Sequence, residues 1–290
     1  MDEAHRFSIN ANLRYNVHQD GWLLLNIAVG KCGSQQLLQE RLTTNADGDF
    51  REIIALDGSI RSHGISVPVG DIEIQYQAEV ARCETGFQGC WEPGEVDLVD
   101  LPAGVVRYLY PSRYCESDKL VRFAMKEFGG MRCGHTMIAA ICNWISDHIE
   151  YDPGATDEFK SAVDCLITRA GVCRDYAHLG IAFARAMGIP ARYGSAYVHN
   201  LSTPDFHAFF EVWLDDRWWY YDATRLAPQA GFILIGTGQD AANTSVATMS
   251  AGIQFESMQI DVTKLSTREI SYSDCPVSFE FPPDVTRSLP

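Results

Sequence analysis

The sequence predicts an α+β protein in two parts: a strand-rich domain over residues 1–107, then residues 108–290, in which helices precede antiparallel strands. Three observations predict it. From Phe7 to about Arg107 apolar and polar residues alternate and helical periodicity is nearly absent. From Ser117 to Met187 the apolar spacing changes to three and four residues. From Ala191 onward alternation returns in segments rich in aromatic and β-branched residues. Helices that come first and pack on an antiparallel sheet that follows make an α+β core. A chain of 290 residues can bury two such cores.

The first strand carries Phe7, Ile9, Ala11, Leu13, Tyr15 and Val17 on one face. Asp20-Gly21 turns the chain into Trp22 to Val29. Further strands are expected at Gln36 to Thr44, Phe50 to Leu56, Ile65 to Val69 and Asp71 to Cys83, separated by Asp47-Gly48, Asp57-Gly58-Ser59 and Val69-Gly70. Short strands with Gly and Asp punctuation point to an antiparallel β-sandwich. His18 and His63 read as exposed positions within it.

Gly86 to Pro111, rich in Gly and Pro and carrying Glu92, Glu95, Asp97 and Asp100, reads as the linker. Ser117 can cap a helix through Phe128, with Leu120, Val121, Ala124, Met125 and Phe128 on its apolar side, stopped by Gly129-Gly130. The next helix places Met137, Ala140, Ile141, Trp144, Ile145 and His148 together, with Trp144 in the core and His148 complementing the C-terminal dipole. Ser161 and Asp164 form a capping-box pattern for a short helix, and the loop from Tyr151 to Phe159 is a candidate border of a cleft.

Gly171-Val172-Cys173-Arg174-Asp175-Tyr176-Ala177-His178 reads as a tight turn that becomes a helix at Cys173. Tyr176, Leu179, Gly180, Phe183 and Met187 set its apolar face, and Gly188 followed by Pro190 ends it. A cysteine at a helix start faces unpaired N–H groups and the positive end of the dipole, which favour the thiolate. Arg174 and Asp175 fit salt-bridge roles. His178, five residues from Cys173, is a rival base on a different helical face.

Ala191 to His199 is the next strand. Asp205-Phe206-His207-Ala208-Phe209-Phe210-Glu211-Val212-Trp213-Leu214 then reads as a strand opened by His207, with a turn near Asp215 to Arg217 and a return strand Trp218 to Thr224. That hairpin brings His207 and Asp222 to one open end. Trp213, Trp218 and Trp219 are expected to divide between core and cleft wall. Leu226 to Gly238 and a strand from Ile253 to Val262 are expected to close the domain, and the Pro282-Pro283 tail to be irregular. Cys173, His207 and Asp222 form a Cys-His-Asp pattern: the imidazole takes the thiol proton, and the carboxylate fixes its tautomer and orientation.

These residues carry a resemblance. Gly171 to Leu179, then Gly188-Ile189-Pro190-Ala191-Arg192-Tyr193, Asp205-Phe206-His207-Ala208 and Tyr221-Asp222-Ala223-Thr224-Arg225 resemble the bacterial transglutaminase-like superfamily, which includes cysteine proteases. The resemblance spans roughly residues 108–242, with weaker similarity to the β-domain that often precedes this core. It implies a papain-like fold with Cys173 as nucleophile, His207 as general base and acid, and Asp222 as orienting carboxylate. Members differ in reaction: proteases, amidases, cross-linking enzymes and inactive forms share the fold.

The expected activity is thiol-dependent acyl transfer on an amide or peptide bond, foremost hydrolysis, with the backbone N–H of Cys173 as one oxyanion donor. Protein-glutamine cross-linking, a non-catalytic peptide-binding scaffold and a redox-sensing thiol are the alternatives. A net charge of −15, from 23 basic and 38 acidic residues, argues against nonspecific binding to nucleic acid or anionic membranes and leaves a peptide or protein substrate as the expected partner. Nine cysteines without a CxxC pair read as reduced thiols, and Cys133-Gly134-His135 lacks partners at zinc spacing, so neither cofactor nor metal is implied. The N-terminal residues do not resemble a signal peptide and no apolar run is long enough to span a membrane, which makes cytoplasmic residence the expectation.

Overall fold

The computed structural model describes residues 4–83, 94, 97–131, 134–267, 270 and 277–279. Glu92, Glu95, Cys133 and the Pro282-Pro283 tail lie outside them.

The N-terminal strands are β1 (His5–Val17), β2 (Gly21–Leu25), β3 (Gln35–Thr44), β4 (Arg51–Ile54), β5 (Arg61–Val67) and β6 (Gly70–Arg82). In β1 every second residue from Phe7 to Val17 is buried, as the alternation requires. After the helical turn α1 (Ala103–Val106) come α2 (Ser117–Phe128), α3 (His135–His148), β7 (Glu150–Tyr151), α4 (Ala162–Thr168), β8 (Ala170–Gly171) and α5 (Cys173–Ala186). The chain then forms β9 (Ala191–Val198), β10 (His207–Leu214), β11 (Arg217–Tyr221), β12 (Phe232–Gly238), β13 (Ala247–Met249) and β14 (Ile253–Lys264).

Two antiparallel sheets, β14-β1-β6-β3 and β13-β2-β5-β4, share one apolar core that includes Ile9, Leu13, Leu23, Ile65 and Ile74. A third antiparallel sheet, β11-β10-β9-β12, carries the helices, and Phe210 and Val212 of β10 share a core with Ile141, Leu179 and Phe183. The strand expected to close this core goes elsewhere: β14 pairs with β1 from Phe7↔Lys264 to Val17↔Ile253, and β13 pairs with β2. Placing all of residues 108–290 with the second domain therefore misassigns its last strands. The physical reason is that alternation states which face of a strand is buried but not which sheet edge it completes.

The halves are knitted together at β12. Ile233 and Ile235 enter the sandwich core, Gly30 N–H donates to Leu234 O at 2.8 Å, and the Gln35 amide bridges to Leu234 with Nε2 to its carbonyl at 2.9 Å. Tyr197 of β9 stacks on Tyr76 of β6 with ring centroids 6.1 Å apart, and its hydroxyl donates to Ile27 O at 2.7 Å.

Helix α5 is the centre of the second core. It buries every residue from Asp175 to Arg185 rather than one face. Small side chains make this possible: a Cβ on Gly180 would lie 2.6 Å from the Phe210 ring. The buried Arg185 is satisfied by carbonyls and a hydroxyl around it, donating to Ala191 O, Tyr110 O, Ser112 Oγ and Gln239 O. Gly188 takes φ 84°, the left-handed stop expected before Pro190.

Three expectations are corrected in detail. His63 is buried within β5, because odd-numbered positions of that strand face the shared core. Val121 and Met125 of α2 are exposed; its buried stripe is the narrower Leu120, Ala124 and Phe128. Trp219 is core, Trp144 is partly buried against the same core, and Trp213 and Trp218 pack with Val105 and Tyr108 in a separate cluster.

Candidate active site

Cys173 opens α5, and the turn before it is held from both sides. Tyr151 pairs with Gly171 across the parallel β7–β8 contact, and Asp152 N–H donates to Gly171 O at 3.0 Å. The Asp175 carboxylate reaches back to accept Val172 N–H at 3.0 Å, which satisfies a helix-start donor. Residue 171 has to be glycine for this, because a Cβ there would lie 2.7 Å from Asp175 Cβ and Oδ2. Arg174 ties the helix start to the loop by donating to Thr156 Oγ1 at 2.7 Å and to Asp157 O, and it pairs with Asp175 at 3.5 Å. Beneath them the buried Lys160 donates to the carbonyls of Ala155 and Ala170.

His207 opens β10 opposite Ala196 of β9. Leu214 pairs with Arg217 around a two-residue turn in which Asp215 and Asp216 take φ 50° and 58°, the doubly left-handed turn that suits strand twist. That turn sets the register which places Asp222, one residue past β11, beside His207. His207 Nε2 and Asp222 Oδ2 lie 2.9 Å apart, with side chains 1% and 3% exposed. Thr224 holds the carboxylate in place, its N–H and Oγ1 donating to Asp222 Oδ1 at 2.9 and 2.8 Å.

Cys173 interacts with the same imidazole by hydrogen bonding and by charge. With Nε2 taken by Asp222, Nδ1 is the nitrogen left for the thiol. Burial alone would depress the imidazole pKa, but Asp222 and then Cys173 outweigh it and push it up to about 10. The structure thus brings the three residues expected from the sequence into one arrangement. His178 is excluded as base: it is fully buried, its Nε2 accepts Ala241 N–H at 3.1 Å, and burial holds its pKa well below the usual histidine range.

Tyr151, expected from the sequence only as part of a cleft border, has a closer relation to the nucleophile. The Tyr151 hydroxyl meets both the backbone N–H and the side chain of Cys173. Burial, with the charge of Cys173 second, raises its pKa well above the usual tyrosine value. Its signal is not local: only the β7–β8 pairing sets Tyr151 beside Gly171. Tyr193 of β9, fully buried, also feels the charge of Cys173.

Comparison with known proteins bears on this geometry. Residues 5–103 match the family model described as bacterial transglutaminase, N-terminal domain, and residues 126–223 match the transglutaminase-like superfamily. A crystal structure described as "a Putative Cysteine Protease from Cytophaga hutchinsonii" superposes with a TM-score of 0.91 at 35% identity, over 96% of this chain and 98% of that one. The chain belongs to the transglutaminase-like superfamily. An uncharacterized protein of Mycobacterium leprae is 30% identical over 46% of this chain and 50% of its own length. One of Mycobacterium tuberculosis is 28% identical over 44% and 45%. The chain spans about half the length of these curated relatives. Membership in the transglutaminase-like superfamily, with that crystallographic relative, supports a thiol-dependent enzyme.

Proposed function

We propose that the protein hydrolyses an amide or peptide bond through a thioester on Cys173, with His207 as general base and acid and Asp222 as its orienting carboxylate. The observation that carries this reading is the imidazole bound by a buried carboxylate on Nε2 while it interacts with the helix-start thiol of Cys173. A cysteine needed only for packing requires neither partner.

Proton transfer from Cys173 to His207 gives a thiolate and an imidazolium, which Asp222 stabilises. As the sulfur–carbon bond forms, the carbonyl oxygen gains charge where the Cys173 N–H can donate. The Tyr151 hydroxyl already occupies this neighbourhood. A small shift of the phenol frees the N–H for the oxyanion and makes Tyr151 the second donor. The carbon–nitrogen bond then breaks, and the amine leaves with the proton His207 delivers. Water, deprotonated by His207, resolves the thioester to the acid and restores the thiol. The Cytophaga hutchinsonii relative, whose description reads "Putative Cysteine Protease", favours hydrolysis over transfer.

The test is turnover of casein and of N-blocked peptide amides, compared with Cys173→Ala and His207→Ala. Release of acid and amine that both substitutions abolish supports the proposal. Cys173-dependent incorporation of a primary amine without hydrolysis replaces it with transfer, and turnover equal in wild type and Cys173→Ala ends it.

A further inference from the structure

Arg82 ends β6 of the sandwich, yet its side chain reaches into the other half of the molecule. It is 1% exposed and donates to the Tyr220 hydroxyl of β11 at 2.8 Å and to Gln229 O, just before β12, at 2.9 Å. Its guanidinium carbon lies 4.9 Å from the centre of the Phe279 ring and 5.8 Å from that of Tyr220. Residues 277–279 are fastened to both halves at the same place. Tyr220 N–H donates to Val277 O at 2.9 Å, and Ser34 N–H, just before β3, donates to Phe279 O at 3.0 Å.

From Arg82 a continuous line of rings leads to the imidazole. Phe279 stacks on Tyr220 with centroids 4.7 Å apart, Tyr220 meets Phe232 at 5.7 Å, and Phe232 stands at 79° to His207 at 5.3 Å. Phe209, two residues after His207 and so on the same side of β10, fills the space between Tyr220, Phe232 and Phe279. All five rings are buried, and close-packed side chains pass a displacement on. The contact with Phe232 matters because the bond to Asp222 fixes only one nitrogen of His207 and leaves the ring free to pivot about that bond. A ring packed nearly at right angles to the imidazole stops the pivot.

Packing alone does not account for the arginine. The Tyr220 hydroxyl donates to Gln229 O at 2.7 Å, so the two groups that Arg82 binds satisfy each other without it. Among the described residues the guanidinium has neutral partners, and its buried Nε has none. A buried cation so placed bears a desolvation cost that an apolar side chain of similar length avoids. What the apolar chain lacks is the rigid fork that grips Tyr220 and Gln229 together.

We propose that Arg82 is a positioning residue for His207: it fixes Tyr220 and Phe279 from the sandwich side, and the rings behind the imidazole carry that constraint forward, so that Nδ1 stays within reach of Cys173. This assignment rests on the reading of His207 as the base for Cys173. It gives the N-terminal domain a part in the chemistry without contact with the reacting atoms.

The test reads the thiol without turnover. Iodoacetamide alkylation of Cys173 is mapped by mass spectrometry at pH 6 and pH 9, with Cys173→Ala as the blank. A thiolate held by a well-placed imidazolium keeps reacting at pH 6. The ratio of the two rates should fall about tenfold in Arg82→Met, as a displaced imidazole lets the thiol hold its proton. The melting temperature should stay nearly unchanged. Ile9→Val, which loosens the sandwich core away from these rings, should lower the melting temperature and leave the ratio as in wild type. In a parallel arm, kcat for peptide amides should fall about 10- to 100-fold in Arg82→Met with KM nearly unchanged, the size of effect a small misplacement has. If Arg82→Met does not fold, Tyr220→Phe, which removes only the hydroxyl that Arg82 holds, decides the question in the same direction. A ratio equal to wild type in the folded variant, or an equal fall in Ile9→Val, overturns the proposal while leaving the hydrolase reading intact. A ratio that falls as expected in a protein with no Cys173-dependent turnover keeps the positioning role and removes the hydrolase reading.

Discussion

His207 Nε2 lies 2.9 Å from Asp222 Oδ2, and both side chains are almost fully buried. The register of one two-residue turn fixes this contact, so the imidazole is oriented before any substrate arrives. Asp222→Asn retains the shape but offers an amide where the imidazole needs a carboxylate. The expected loss in kcat is about 10⁴-fold, the size seen when an orienting carboxylate of this type becomes an amide. Circular dichroism and melting should show the fold intact, so a matching collapse of structure would make the contact architectural instead.

The same contact makes stability depend on pH. His207 titrates near 6.5 when unfolded and is raised to about 10 when folded, chiefly by Asp222 against the opposing effect of burial. A raised folded pKa stabilises fully below about 6.5 and loses that contribution as pH climbs through about 10. Urea unfolding at pH 6, 8 and 10.5 should therefore show wild type losing stability with rising pH relative to His207→Gln, by on the order of a few kcal/mol. Parallel pH profiles for the two proteins would refute the assignment of the raised pKa to His207.

Tyr151 separates two roles that a single static position leaves together. As the second oxyanion donor it predicts that Tyr151→Phe lowers kcat by about 10–10³-fold with little change in KM. The rate at which iodoacetamide alkylates Cys173 should not fall, since alkylation forms no oxyanion. If kcat instead rises, the hydroxyl blocks the Cys173 N–H and is a plug.

What the sequence disclosed and what it withheld divide along one physical line. Cys173, His207 and Asp222 were legible because each stands at a chain feature with local chemistry: a helix start, a strand opening and the return arm of a hairpin. The capping box of Ser161 and Asp164 and the Gly188 stop were legible for the same reason. Tyr151 was not, because its role is created by a pairing between β7 and β8 that are two residues each. His63 and β14 were misread for a related cause, since alternation does not identify the sheet or the partner.

Gly171 and Gly180 test how tightly the nucleophile is seated. Gly171→Ala drives a Cβ to 2.7 Å from the Asp175 carboxylate that caps α5, and Gly180→Ala drives one to 2.6 Å from Phe210. Both should cost about 1–3 kcal/mol, as overpacking does. They should differ in function: Gly171→Ala disturbs the turn before Cys173 and should lower activity below what its melting temperature accounts for. Gly180→Ala, a full two turns on, should lose stability and activity in proportion.

The return of the chain to its starting sheet makes the last prediction architectural. β1 is flanked by β6 on one edge and β14 on the other, paired along nearly its whole length with one register shift against β14 between Arg14 and Tyr15. Deleting residues 253–264 leaves an open edge of eleven or so residues whose alternate positions are Phe7, Ile9, Ala11, Leu13, Tyr15 and Val17. An exposed strand edge of that length is a template for pairing between molecules. The deletion should aggregate although every residue of the candidate site remains, as read by size-exclusion chromatography and thioflavin binding. A monomeric deletion protein with wild-type thiol reactivity would show instead that β14 is an accessory to the sandwich and that the site on α5, β10 and the end of β11 stands without it.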